Sequence, residues 1–189
     1  VAASLAGAAG LVVAVRASGS KRLARAVAWG LAAGCWGTEG FLLAWYALVH
    51  EVPWQWLLPL HLCDLALLLG PLALLTANRF LCELLYFWGI GGAVQALLQP
   101  LVTWGFPSVQ CSCFFLAHAF IVASALYAPL VLRWRPTRWS VLRVWLATNA
   151  YALLVVAPVN WMLDTNYLFL HWKPRTPSLL DLMRSEERR

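Results

Sequence analysis

The chain has 189 residues, 62% of them hydrophobic and only 12% charged, with 12 Trp and a mean hydropathy of +0.70; soluble domains carry about one quarter charged residues. This apolar excess is more than one small globular core can hide, so a bilayer must solvate most of the chain and a water-soluble fold is excluded. The net charge of +6 does not point to nucleic acid, because the basic residues punctuate apolar runs instead of forming a patch.

Apolar stretches cover about 1–15, 26–49, 57–76, 80–99, 112–132 and 140–161, separated by short polar or Pro/Gly breaks. At roughly 20 residues per span they predict an all-α, polytopic transmembrane helix bundle of about six spans. The whole forms a single domain over 1–183 with a charged tail over 184–189. The first run reaches only ~22 Å at ~1.5 Å per residue, short of a ~30 Å hydrocarbon core, and a chain opening on Val implies residues upstream. Its basic cluster follows the apolar run, which fits an uncleaved anchor better than a cleavable signal peptide.

Charge sets the expected orientation. Arg16, Lys21, Arg22 and Arg25 follow the first run, Arg79 lies between the third and fourth, and Arg133, Arg135, Arg138 and Arg143 lie around the start of the sixth. The connections after the second and fourth runs hold no basic residue. The positive-inside rule then places the N-terminus outside a cell membrane. Trp54, Trp56, Trp104 and Trp161 fall at the outer interface and Trp29, Trp134 and Trp139 at the inner one, as an aromatic belt requires.

Polar side chains at membrane depth cost a few kcal/mol each, so they mark candidate sites. If helix 3 enters at Leu57, then His61, Cys63 and Asp64 lie ~6 to 10 Å below the outer end, with His118 at ~9 Å and Gln95 at ~7 Å. Glu39, ~15 Å deep, is placed at the floor of the same cavity. Glu83, four residues after Arg79, reads as an interfacial ion pair. On a regular helix His61 and Cys63 point to opposite sides while His61 and Asp64 meet, so the base for a Cys63 nucleophile must come from another helix, and His118 is the other His at that depth. A thiol–imidazole pair supports nucleophilic acyl transfer. A buried free Cys is also a common small hydrophobe, and a membrane His often bridges helices. Cys111, Cys113 and His118 with His61 and Asp64 would be a metal alternative, but C-x-C is not a usual zinc spacing, and no metal or cofactor is expected. Asn166, Tyr167 and Lys173 lie where the polar layer opens and are candidates for contacting an anionic lipid head group. Gly89, Gly91 and Gly92 allow close helix packing.

The strings Pro59-Leu-His-Leu-Cys-Asp64, Leu85-Tyr-Phe-Trp-Gly89, Gln95-Ala-Leu-Leu-Gln-Pro100, Phe115-Leu-Ala-His118, Thr165-Asn-Tyr-Leu-Phe-Leu170, Lys173-Pro174 and Ser178-Leu-Leu-Asp181 together resemble the bacterial YwaF-like integral membrane proteins. These are similar to an animal ether-phospholipid acyltransferase family. The resemblance covers about 57–181 and implies a multispan fold, usually of seven spans, in a bacterial plasma membrane. It further implies transfer of a fatty acyl chain between phospholipids through a Cys thioester. By motif position Cys63 matches the family nucleophile and His118 its catalytic His. After Ser178-Leu-Leu-Asp181 the family continues into a Trp/Pro-rich turn and a last helix, whereas this sequence runs into Met183-Arg-Ser-Glu-Glu-Arg-Arg189.

The leading expectation is therefore a membrane lipid acyltransferase or acyl-hydrolase. Cys63 and His118 are assigned as catalytic, and His61, Asp64, Gln95, Asn166, Tyr167 and Lys173 as substrate-binding or orienting. Membrane lipids are the expected partners. The alternative is a non-enzymatic small-molecule or ion transporter using the same polar layer, although broken-helix repeats are not visible.

Overall fold

A computed structural model describes residues 2–100, 102 and 105–172. The described chain forms six helical rods, and no strand occurs among the described residues. They are α1 (Ala2–Ser18), α2 (Lys21–Leu48), α3 (Leu62–Thr76), α4 (Arg79–Leu98), α5 (Val109–Leu130) and α6 (Arg138–Leu163). The last three are long and apolar enough to cross a membrane, and α3 and most of α1 are shorter apolar helices. The rods follow the six apolar runs, and their ends are set by side chains at the termini. Ser20 accepts the Leu23 N–H at 3.2 Å, Asn78 accepts those of Phe80 and Leu81 at 3.0 and 3.2 Å, and Ser108 accepts that of Cys111 at 3.2 Å. Each satisfies amide donors that the first helical turn leaves orphaned.

The largest departure from the sequence reading is at α3. It begins at Leu62, not Leu57, because residues 57–61 follow a short 3₁₀ turn, Trp54–Trp56, in non-helical conformation. Pro59 lies in this stretch and biases the residue before it away from helix. Two rods carry π-helical segments, Trp88–Ala93 in α4 and Ala152–Val156 in α6. Such a segment winds wider than 3.6 residues per turn and rotates everything after it relative to a regular helix.

Helix α5 is central and packs on α1, α2, α3 and α4, presenting the fully buried Ile121, Ser124 and Ala125. Close approach between α4 and α5 depends on Gly89: a Cβ there would stand 2.5 Å from the Ala125 Cβ, whereas at Gly91 and Gly92 nothing lies within 4 Å. Of the three glycines, Gly89 is the packing residue. Gly89→Leu is expected to push α4 off α5 and lower the thermal unfolding midpoint of the purified protein in detergent, while Gly91→Ala leaves it unchanged.

Helix α6 lies at the periphery, against α4, and exposes Trp139, Trp145, Leu153, Leu154, Trp161 and Met162. An apolar surface of this extent requires hydrocarbon around it. At the Arg-rich end α6 is anchored by Glu83, which is fully buried. Its carboxylate accepts from Arg143 through Nε at 2.8 Å and again through Nη2, from Ser140 Oγ at 2.9 Å and from Arg79 Nε at 3.4 Å. The Arg79 pair expected from the sequence is present, but the principal partner comes from α6.

Candidate functional site

At the end of the bundle opposite the Arg clusters, a cavity of about 360 Å³ opens between α2, the start of α3, the end of α4 and α5. Its wall includes Glu39, His61, Cys63, Asp64, Gln99, Gln110 and His118, with Tyr46, Phe114 and Phe169 as aromatic lining. A smaller adjoining cavity of about 180 Å³ shares Glu39, His61 and Asp64 and adds Trp56 and Tyr167. The larger cavity falls at the low end of the size range for small-molecule sites, and the smaller one lies below it.

The tertiary structure thus gathers Cys63, His118, His61, Asp64 and Glu39. His61 and Cys63 line the same cavity, contrary to the expectation that they diverge. The reason is the late start of α3: His61 is the residue before the first turn, in extended conformation (φ −71°, ψ 152°), so the helical alternation does not apply to it. Its ring lies against Tyr167 and Phe169, at centroid distances of 5.2 and 5.7 Å. Asp64 does meet His61, but through the backbone: its Oδ2 accepts the His61 N–H at 3.0 Å and caps α3. Cys63 consequently sits in the first turn, where amide N–H groups lack intrahelical acceptors and the helix dipole is positive.

His118 is 7% exposed, and its Nδ1 lies 2.8 Å from the Phe114 carbonyl. Since a carbonyl only accepts, Nδ1 carries the hydrogen, which leaves Nε2 as the lone-pair nitrogen of the neutral ring. Glu39 is 5% exposed and faces both cavities.

The remaining sequence-predicted residues are placed differently. Gln95 is exposed and does not line the cavity; it follows the π segment of α4, whose extra residue turns it away, and Gln99 at the end of that helix lines the wall in its place. Asn166 is a loop organiser: its Oδ1 accepts the N–H groups of His171 and Trp172 at 3.0 and 3.2 Å, and its Nδ2 donates to the Trp172 carbonyl at 2.7 Å. Lys173 lies outside the described residues. Cys111 and Cys113 belong to the start of α5, and no group of three His, Cys, Asp or Glu suited to a metal ion occurs among the described residues.

Tyr167 holds the cover of the site. Its hydroxyl donates to the Gln55 carbonyl at 2.8 Å and accepts the Leu58 N–H at 3.0 Å, tying the segment after α6 to the loop before α3. That segment is fixed in turn by the fully buried Asn160, which donates to the Tyr167 carbonyl at 2.9 Å and accepts the Tyr167 N–H at 2.8 Å and the Thr165 hydroxyl at 3.0 Å. Leu168 and Phe169 both take left-handed backbone (φ 57° and 55°), a conformation costly for residues with a Cβ and sustained by surrounding contacts. Sequence reasoning missed Asn160; an amide inside an apolar run was the available signal. Tyr167→Phe removes both hydroxyl bonds and leaves the Leu58 N–H unpaired. A loss of about 1–3 kcal/mol is expected, read as faster hydrogen exchange at 52–60 and 164–172 with the rest of the bundle unchanged.

The fold and site define a helical integral membrane protein with an open, mostly apolar cavity among its rods that carries a few polar and ionisable side chains. The chain belongs to the TMEM164 family, whose model matches residues 1–187. It is also 32% identical over 123 residues to an uncharacterized protein of Treponema pallidum (strain Nichols), an alignment covering 64% of this chain and 50% of that protein. The aligned chain spans about half the length of that curated relative. No solved structure matches it.

Proposed function

We propose that this protein is a membrane lipid acyltransferase, or acyl-hydrolase, that works through a thioester on Cys63, with His118 as general base and the N-terminus outside the cell membrane. The observation that carries the reading is the presence of Cys63 and His118 on one cavity wall, with the hydrogen of His118 held at Nδ1 by Phe114. Nε2 takes the thiol proton as Sγ attacks an ester carbonyl of the lipid. The C–S bond forms, the C–O bond breaks, and the proton passes from Nε2 to the departing alkoxide. In the second half an acceptor alcohol, or water, gives its proton to Nε2, attacks the thioester and restores the thiol. The positive end of the α3 dipole beside Cys63 suits the negative charge that develops on sulfur and on the tetrahedral oxygen. His61, Tyr167 and Phe169 form the wall against which the lipid head group would rest.

Intact-protein mass spectrometry after incubation with membrane phospholipids tests this. An added acyl mass on Cys63, released by neutral hydroxylamine, is the expected result, and its absence over a range of lipids would overturn the covalent step. A cation-translocating role for the same cavity is favoured by one observation, the two carboxylates Glu39 and Asp64 on its wall; cation flux into vesicles that survives Cys63→Ala would select it.

A further inference from the structure

The opposite, Arg-rich end of the bundle carries a second recess that the acyl-transfer reading does not use. A cavity of about 490 Å³ is lined by Arg16, Lys21 and Arg133 with Gly19 and Ser20, and its wall contains no acidic residue. Two left-handed residues build it. Gly19 (φ 61°) turns α1 sharply into α2, and Arg133 (φ 57°) turns the chain after α5, so that cations from three segments meet. One of them is anchored: Arg16 Nη1 donates to the Leu130 carbonyl at 2.5 Å, which holds its guanidinium beside the end of α5. None of the three makes a salt bridge among the described residues; the ion pairs there belong to Glu83.

Arg16 is favoured by the helix C-termini it adjoins, whereas the cations at the start of α2 are not. Helix α2 begins with Lys21 and Arg22 and has no acidic residue in its first turn, so two cations sit at the positive end of a helix dipole, where anions are favoured. Positive charge concentrated against local preference is relieved when an anion binds. The recess is also continuous with apolar surface. A neighbouring cavity of about 540 Å³ shares Lys21, Ala24 and Val131, adds Arg25 and Thr76 at the same end, and has Ala28, Trp29, Leu74, Leu75 and Leu132 as apolar wall. A phosphate in the first recess would leave an acyl chain lying along the second.

We propose that the recess formed by Arg16, Lys21 and Arg133 binds the phosphate of an anionic phospholipid, whose acyl chain lies in the adjoining apolar groove. The site is separate from the Cys63 cavity and stands or falls independently of the acyl-transfer reading. A basic pocket between helices beside the Arg-rich interface has the chemistry for this class of ligand.

The test is native mass spectrometry of the full chain in detergent, titrated with phosphatidylglycerol or with phosphatidylcholine. One phosphatidylglycerol should be retained at least tenfold better than phosphatidylcholine. Arg16→Gln/Lys21→Gln/Arg133→Gln should lose that preference, and the control Arg135→Gln/Arg138→Gln should keep it. Arg16→Lys/Arg133→Lys, which preserves charge, should retain most of it; should the triple variant not fold, Arg133→Glu at the exposed turn carries the same expectation of loss. Equal retention of the two lipids, persistence of the preference in the triple variant and in Arg133→Glu, or equal loss in the control would overturn the proposal. So would an equal rise in unfolding midpoint from millimolar inorganic phosphate alone, which would mark a free-anion site.

Discussion

His118→Ala should slow formation of the acyl adduct on Cys63 by roughly 10²- to 10⁴-fold, the range for loss of a general base. Cys63→Ala should abolish the adduct, Cys63→Ser should leave little because a hydroxyl needs a far stronger base in the same place, and Cys82→Ala should have no effect. Cys82 is buried on the Ala73 carbonyl, at 3.8 Å, away from the cavity. His61→Ala should act differently. Its ring packs on Tyr167 and Phe169, so its removal should raise KM for lipid while the alkylation of Cys63 by iodoacetamide keeps its pH profile. The extended backbone at His61 puts that ring on the Cys63 cavity, which makes the comparison decisive. If His61→Ala flattens the alkylation profile and His118→Ala does not, His61 is the base.

The second large effect is at Glu83. Arg143→Ala leaves a fully buried carboxylate with the longer Arg79 contact at 3.4 Å and the Ser140 hydroxyl. The folding equilibrium should fall by about tenfold or more: the Glu83 carboxylate is left with its weaker partners, while water near the half-exposed Arg143 position screens part of the lost attraction. Glu83→Gln should cost less, because the side chains of Arg143 and Arg79 are 46% and 60% exposed and can turn to water. Glu83→Leu in the Arg143→Ala background should recover much of the loss, as an apolar side chain has no charge to solvate. Unfolding of the four proteins in a mixed-micelle denaturant titration reads all of this; a double variant no more stable than Arg143→Ala would show that shape, rather than charge, governs the contact. The same pair joins the peripheral α6 to α4, so Arg143→Ala should also raise hydrogen exchange across 138–163.

The bundle was legible in the sequence because hydrocarbon demands long apolar runs, and each run became one rod. The polar layer was legible for a related reason: an ionisable side chain at membrane depth is conspicuous, and Glu39, Cys63, Asp64 and His118 all reached one cavity. What local spacing could not reveal was direction. It assumed a continuous helix from Leu57 and an unbroken α-helical phase through α4. The unwound stretch before Leu62 placed His61 on the Cys63 side, and the π segment before Val94 turned Gln95 outward and left Gln99 facing in.

Tertiary contacts also assigned roles that composition leaves open. Gly89, Gly91 and Gly92 are equivalent as letters, yet only Gly89 abuts Ala125. Glu83 was paired by sequence distance with Arg79, whereas the stronger donor, Arg143, is 60 residues away. Asn160 is conspicuous as an amide inside an apolar run, but its partners Thr165 and Tyr167 are set only by the fold. The sequence by itself determined the solvent, the order of the rods among the described residues and the layer in which polar groups gather, because transfer to hydrocarbon acts residue by residue. Which side chains face one another was decided only in the folded bundle, since helix phase, a late helix start and a missing Cβ act through neighbours distant in the chain.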